Sequence, residues 1–147
     1  MRPTKAIIHH SLTADSGTVS WGAIRKWHTG KHPQSPHKWN DIGYHFGIEL
    51  VDDYYEVLVG RPIDVPGAHC EGWNKSSIGL MFTGNFDIAP PPDAMMKRAV
   101  AVFAPIIASL QIPYEKIKPH SAYATKTCPG KMFPFERFVE ALKRGRW

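Results

Sequence analysis

Apolar residues recur along this chain with two different periods, and the change between them separates predicted strands from predicted helices. Lys5 to His10 contains the short apolar run Ala6-Ile7-Ile8, ends in two histidines and predicts a strand. Ser11 to Gly17 is polar and predicts a turn. Ser20 is placed to cap a helix running to about Thr29, with Ile24, Trp27 and Ala23 on its inner face. Gly30 to Asp41 holds Pro33, Pro36, His32, His37 and Trp39 with no apolar period, which predicts a loop. Gly43 to Leu50 and Tyr54 to Val59 are β-rich runs joined at Val51-Asp52-Asp53, a predicted hairpin. Arg61 to Asn74 reads as irregular, and Ser77 to Thr83, with Ile78, Leu80 and Phe82, as another strand.

After residue 90 the period lengthens. Pro90-Pro91-Pro92 suits the start of a helix, since proline is tolerated in the first turn. Met96, Ala99, Val100, Phe103, Ile106, Ile107 and Leu110 then recur at spacings of three and four, which predicts a helix to about Leu110. Pro105 inside it predicts a bend one turn earlier. A loop holding His120 and Cys128 leads to a last helix from about Phe135 to Lys143. Phe135, Phe138, Val139 and Leu142 form its apolar stripe, and Lys143 and Arg144 favour its C-terminal dipole. No repeat or low-complexity linker interrupts residues 1–147, so the pattern predicts one α/β domain. Its architecture is a central mixed β-sheet flanked by helices, with any site in a cleft at the strand ends.

Composition narrows the function classes more than the fold. The 147 residues, 43% hydrophobic and 21% charged, are enough to bury a core without disulfides. No stretch approaches the roughly 18 apolar residues of a membrane span, so membrane insertion is not expected. Ala6-Ile7-Ile8 is too short for the apolar region of a signal peptide, which predicts a cytoplasmic protein. The formal charge of +5 favours polyanionic partners without naming one. No zinc-finger spacing, aromatic RNA-binding signature or strongly basic helix accompanies it, so nucleic acid is not the expected partner. A monomer is expected.

Cys70 and Cys128 are the two cysteines, and in such a chain they read as free thiols or a metal ligand rather than a disulfide. His9 lies at the carboxyl end of the first strand, and strand alternation turns His9 and His10 to opposite faces. His120 and Cys128 share one loop that can offer an imidazole and a thiolate to the same ion. With His9 they would leave a tetrahedral zinc one open position, as catalytic rather than structural sites do. Lys126 is placed to oppose negative charge on a reacting carbonyl, and Tyr44 could donate a hydrogen bond to it or pass protons. Each residue also has an ordinary reading: a turn histidine, a chance His–Cys spacing, a packed tyrosine, a solvated lysine. Cys70, next to His69, reads as a small buried residue. Spacing alone leaves zinc catalysis open.

A longer pattern adds to this. Ile7-Ile8-His9-His10-Ser11, Trp39-Asn40-Asp41-Ile42-Gly43-Tyr44-His45-Phe46 and Gly60-Arg61 are followed by Gly67-Ala68-His69. Then come Gly72-Trp73-Asn74-Lys75-Ser76-Ser77-Ile78-Gly79, His120-Ser121 and Lys126-Thr127-Cys128-Pro129-Gly130. In this order, from Ala6 to about Arg137, the chain resembles the type 2 N-acetylmuramoyl-L-alanine amidases. That zinc family includes amidase-type phage lysozymes and the peptidoglycan-recognition proteins. The resemblance implies that His9, His120 and Cys128 bind one zinc ion and that Tyr44 and Lys126 assist the water it activates. It implies that His69, with Trp39 and Asn74, lines a cleft for peptidoglycan or muropeptide, cut between the lactyl group of N-acetylmuramic acid and L-alanine. A compact basic member reads as a phage or prophage endolysin released from the cytoplasm at lysis. The alternatives are a non-catalytic peptidoglycan-binding module and a cytoplasmic muropeptide-recycling amidase. The hairpin turn Val51-Asp52-Asp53 lacks the glycine usual in the family.

Overall fold

The fold was obtained as a computed structural model that describes residues 1–13 and 20–147. From residue 14 onward, the turn predicted at Ser11 to Gly17 lies outside the described residues. Among the described residues, five strands form one sheet: β1 (Lys5–His10), β2 (Phe46–Val51), β3 (Tyr54–Val59), β4 (Ser77–Phe82) and β5 (Ile117–Pro119). Their order is β3-β2-β4-β1-β5. β1 runs parallel to β4 and β5, β2 runs parallel to β4, and the β2–β3 pair is antiparallel. Every residue of β4 is buried, as expected of a central strand covered on both faces. The cover comes from α1 (Trp21–His28), α2 (Asp93–Ser109) and α3 (Phe135–Arg144). This is the predicted mixed sheet flanked by helices.

Strand alternation sorts the side chains into two layers. Ala6, Ile8, Ile78, Leu80 and Phe82 join the larger core beneath α2 and α3, with Met96, Phe103 and Phe138. Met81 points the other way, into a smaller cluster with Trp21 and Ile42 beneath α1. α2 continues through Pro105, and Ile106 and Leu110 pack at the edge of the larger core. α3 buries Phe138, Ala141 and Leu142 and ends at Gly145, whose φ of 68° gives the left-handed C-terminal turn. Among the described residues no helix is long and apolar enough to cross a membrane.

Two expectations need correction. Ser20 caps α1 by accepting a hydrogen bond from the Ala23 amide, and Ile24 packs inward as predicted, but Ala23 and Trp27 do not. Trp21 is buried, whereas Ala23 is exposed and Trp27 is 37% exposed. The cause lies in β2. The Glu49 carboxylate accepts a hydrogen bond from the Trp21 amide at 2.5 Å and fixes the start of the helix. The Trp21 ring then lies across Gly47, where a Cβ would come within 2.1 Å of its Cζ3. With Trp21 seated, spacings of three and four bring Ile24 and His28 inward and leave Trp27 on the flank.

The hairpin also starts later than predicted, at Phe46 rather than Gly43. Tyr44 and His45 continue both registers through single hydrogen bonds, Gly60 N donating to His45 O, Arg61 N to Tyr44 O and His45 N to Gly79 O, whereas Gly43 O accepts from Ala68 N instead. Tyr44 thus lies on the continuation of β2, and its ring is 5.2 Å from that of His9 at the end of β1. The tight turn uses Asp52 at a φ of 52°, a conformation that a short polar side chain tolerates where glycine would be usual.

A candidate metal centre between two clefts

The centre follows from the register of β1. His9 sits opposite Met81 of β4, on the α1 face, and is 1% exposed. His10 faces the other way, where its Nδ1 accepts from the Phe86 amide at 3.2 Å. β5 pairs with β1 through Ala6–Ile117 and Ile8–Pro119, so the next residue after the strand, His120, arrives beside His9. Their ring centroids are 4.5 Å apart.

Cys128 comes from the far end of the same loop. Ser121 N donates to Cys128 O at 2.8 Å, and His10 N donates to Cys128 Sγ at 3.3 Å. Asp87 ties this loop down from outside: its carboxylate accepts from Thr127 Oγ1 at 2.6 Å and from Lys131 N at 2.9 Å. No local pattern signals that strap, because Asp87 stands in an ordinary turn 40 residues before Thr127.

The ligating atoms of His9, His120 and Cys128 all lie within 4.8 Å of one another. Cys128 Sγ is 3.8 Å from His9 Nδ1. Two donors on one tetrahedral zinc, bonded at the usual Zn–N and Zn–S lengths, would be separated by roughly 3.5 Å. The residues present therefore fit one ion. Among the described residues the group stops at these three, two nitrogens and one sulfur, with one coordination position left over.

Electrostatics prepare the donors differently. Burial, then the neighbouring His69 and His120, hold His9 well below the usual imidazole range, so its ring is neutral and able to ligate. Burial pushes the Cys128 thiol up to about 11 despite the His10 N–H and Lys126, so a cation must displace its proton. The Tyr44 ring lies 5.2 Å from His9, and burial, with Cys128, pushes its phenol up. Tyr44 therefore remains a hydrogen-bond donor across the working pH range.

Two clefts meet at this cluster. One, of about 430 Å³, is lined by His9, Tyr44, Asp87, Thr127 and Cys128; the other, of about 510 Å³, by Trp39, His69, Glu71, Asn74 and Tyr123. His120 and Lys126 border both. Lys126 is exposed on the loop between the two donors it separates, so its ammonium can reach either cleft.

The three residues expected along the substrate cleft are placed unequally. Trp39 is half-buried and stacks on His37 and His28 at centroid distances of 4.4 and 4.7 Å. The Asn74 amide oxygen is occupied within a turn, accepting from His69 N at 2.8 Å and Cys70 N at 2.9 Å. His69 is 9% exposed, and its Nδ1 lies 3.0 Å from His9 Nε2. Cys70 is buried and, like Cys128, a free thiol.

Sequence reasoning missed two supporting histidines. His28 Nδ1 accepts from Gly43 N at 3.1 Å, directly before Tyr44, and its ring is 5.6 Å from Tyr44. Burial, with His37 and Arg61, lowers its pKa to about 4. His45 Nδ1 accepts from Gly79 N while its Nε2 donates to Val65 O, both at 3.0 Å. Both histidines sit among aromatic and glycine motifs, which mark the segments but not the bonds.

The chain is similar to several known proteins. An endolysin of Enterobacteria phage K11 is 30% identical over 136 residues, covering 90% of this chain and 83% of its own. Peptidoglycan-recognition protein SC2 of Drosophila melanogaster is 29% identical over 126 residues, 85% of this chain and 67% of its own. The solved structure of N-acetylmuramoyl-L-alanine amidase LysC from Clostridium intestinale superposes with a TM-score of 0.81 at 25% identity. That superposition covers 97% of this chain and 86% of LysC. The profile of the family described as N-acetylmuramoyl-L-alanine amidase matches residues 1–131, and the chain belongs to that family.

Proposed function

We propose that this protein hydrolyses the amide between the lactyl group of N-acetylmuramic acid and L-alanine in peptidoglycan, that it depends on one zinc ion, and that it acts as an endolysin. The observation that carries the reading is the approach of the His9, His120 and Cys128 donor atoms to within 4.8 Å where two clefts meet. The phage relative named an endolysin and the LysC amidase structure support it.

His9, His120 and Cys128 would hold the zinc, which when bound supplies a Lewis acid that polarises the scissile carbonyl and makes a water acidic near neutral pH. The other steps belong to the chain. The amide lies across the junction of the clefts, with one arm of the substrate in each. Lys126, which borders both, places a positive charge beside the carbonyl oxygen as negative charge develops there. Tyr44, kept protonated by burial, donates a hydrogen bond to the same centre. Water adds to the carbonyl carbon, the C–N bond breaks as a proton from that water passes to the departing L-alanine nitrogen, and a lactyl carboxylate and a free peptide leave, each through its own cleft.

Mass spectrometry of purified sacculi tests this directly. The zinc-loaded wild type releases stem peptides with free L-alanine amino termini, and Cys128→Ala releases none. Intact lactyl–alanine bonds after treatment with the wild type would overturn the reading.

A further inference from the structure

We infer that His69 is a positioning residue, which fixes the tautomer and aim of His9. The inference rests on the metal reading above, since it concerns how one proposed ligand is held.

His9 and His69 are both buried, their rings meet edge-on at 86°, and His9 Nε2 lies 3.0 Å from His69 Nδ1. The opposite nitrogen of His9, Nδ1, is the one that faces Cys128 Sγ. A single hydrogen occupies the contact between the two rings, and its origin decides whether His9 can ligate. If His69 donates it, a neutral His9 carries its own hydrogen on Nδ1, the nitrogen the metal needs. If His9 donates it from Nε2, Nδ1 is bare and turned toward His120 and Cys128. Ligating histidines commonly give their second N–H to a carboxylate, a backbone carbonyl or water. Here a neutral imidazole stands in that place.

Two features suit His69 to the acceptor role. Its ring is confined by the backbone: a Cβ at Gly79 would come within 2.7 Å of its Cγ, and one at Gly67 within 2.4 Å of its Cδ2. Only glycine at both positions leaves room for the ring at this angle. Its own Nε2 is buried with no partner at hydrogen-bond distance among the described residues, and the Ser77 backbone carbonyl acts on the ring as an acceptor, not as a donor that would need a bare Nε2. Nothing at Nε2 therefore forces the hydrogen of His69 onto Nδ1, and the ring can present a bare Nδ1 to His9. The neighbouring His45 differs, because both of its ring nitrogens are engaged, by Gly79 N and Val65 O. His45 is locked by the backbone, and His69 follows His9.

The test measures zinc binding and needs no peptidoglycan. Zinc affinity, by competition with a chromogenic chelator, is compared for the wild type, His69→Leu and His69→Gln, with thermal unfolding of each metal-free protein as a folding control. His69→Leu loses about 10- to 100-fold in affinity, the usual effect of removing such a partner. His69→Gln, whose amide oxygen can accept the same N–H, stays within a few-fold of the wild type. Long-range 1H–15N spectra of the zinc-loaded wild type show His9 protonated on Nε2 and metallated on Nδ1. Wild-type affinity in His69→Leu, metal on Nε2 of His9, or no zinc binding by the wild type would each overturn the inference. Should His69→Leu not unfold cooperatively, His69→Gln and the spectrum decide: a Gln variant that loses zinc as severely as a ligand deletion is contradictory. A protein that gives the expected zinc results yet leaves sacculi uncut would overturn the amidase reading and leave this one standing.

Discussion

Lys126 and Cys128 are two residues apart, yet the structure gives them separable jobs. Cys128 is buried with its sulfur among the other donors, while Lys126 is exposed at the meeting point of the clefts. Lys126→Ala should therefore keep its zinc and lower kcat by about 10²- to 10³-fold, the effect of removing one stabilising group from a developing oxyanion. Metal analysis alongside steady-state kinetics checks this, and loss of zinc in step with activity would assign Lys126 to the metal instead. The buried histidines give a second prediction at this scale. His28 accepts a backbone N–H and has its pKa lowered from 6.5 to about 4, and burial lowers His45 as well. A histidine held neutral in the native state binds fewer protons there than in the unfolded chain, so stability falls as pH drops. Urea midpoints should be level above about pH 7 and decline between about 6.5 and about 4. His28→Gln, which can still accept from Gly43, should flatten that decline; an unchanged slope would show that His28 does not contribute to it.

At the scale of elements, α1 is held to the sheet by a contact no local pattern announces. The Trp21 ring occupies the space above Gly47, and Glu49, two residues along the same strand, anchors the helix amide. Gly47→Ala forces a methyl group into that ring and should cost about 1–3 kcal/mol, the range for overpacking a core. A urea midpoint indistinguishable from wild type would mean that the ring moves freely. The same contact explains why the helix is legible in the sequence and its face is not. Ser20 and the polar-apolar period mark α1, but the choice between Trp21 and Trp27 is made by Gly47 and Glu49, far along the chain. The long apolar periods of α2 and α3 are readable because each buries a stripe against one continuous core. β5 is not, since three residues ending in proline carry no period at all.

Across the whole molecule, the candidate site is a product of topology. Parallel pairing of β1 with β5 delivers His120 to His9, and the Asp87 strap and the His10 amide bring Cys128 back to both. The opposed facing of His9 and His10 is legible from strand alternation, and the ordered motifs identify the family. The convergence itself is not legible from spacing, because His9 and Cys128 meet across 119 positions through folds of chain that no local rule determines. The central claim is that these three side chains hold one zinc ion and leave it open on one side. X-ray absorption at the zinc edge of the protein loaded with one equivalent measures that most directly. The account predicts one sulfur at about 2.3 Å and two imidazole nitrogens with a further light atom at about 2.0 Å. A first shell without sulfur, or with four protein donors and no open position, would contradict it.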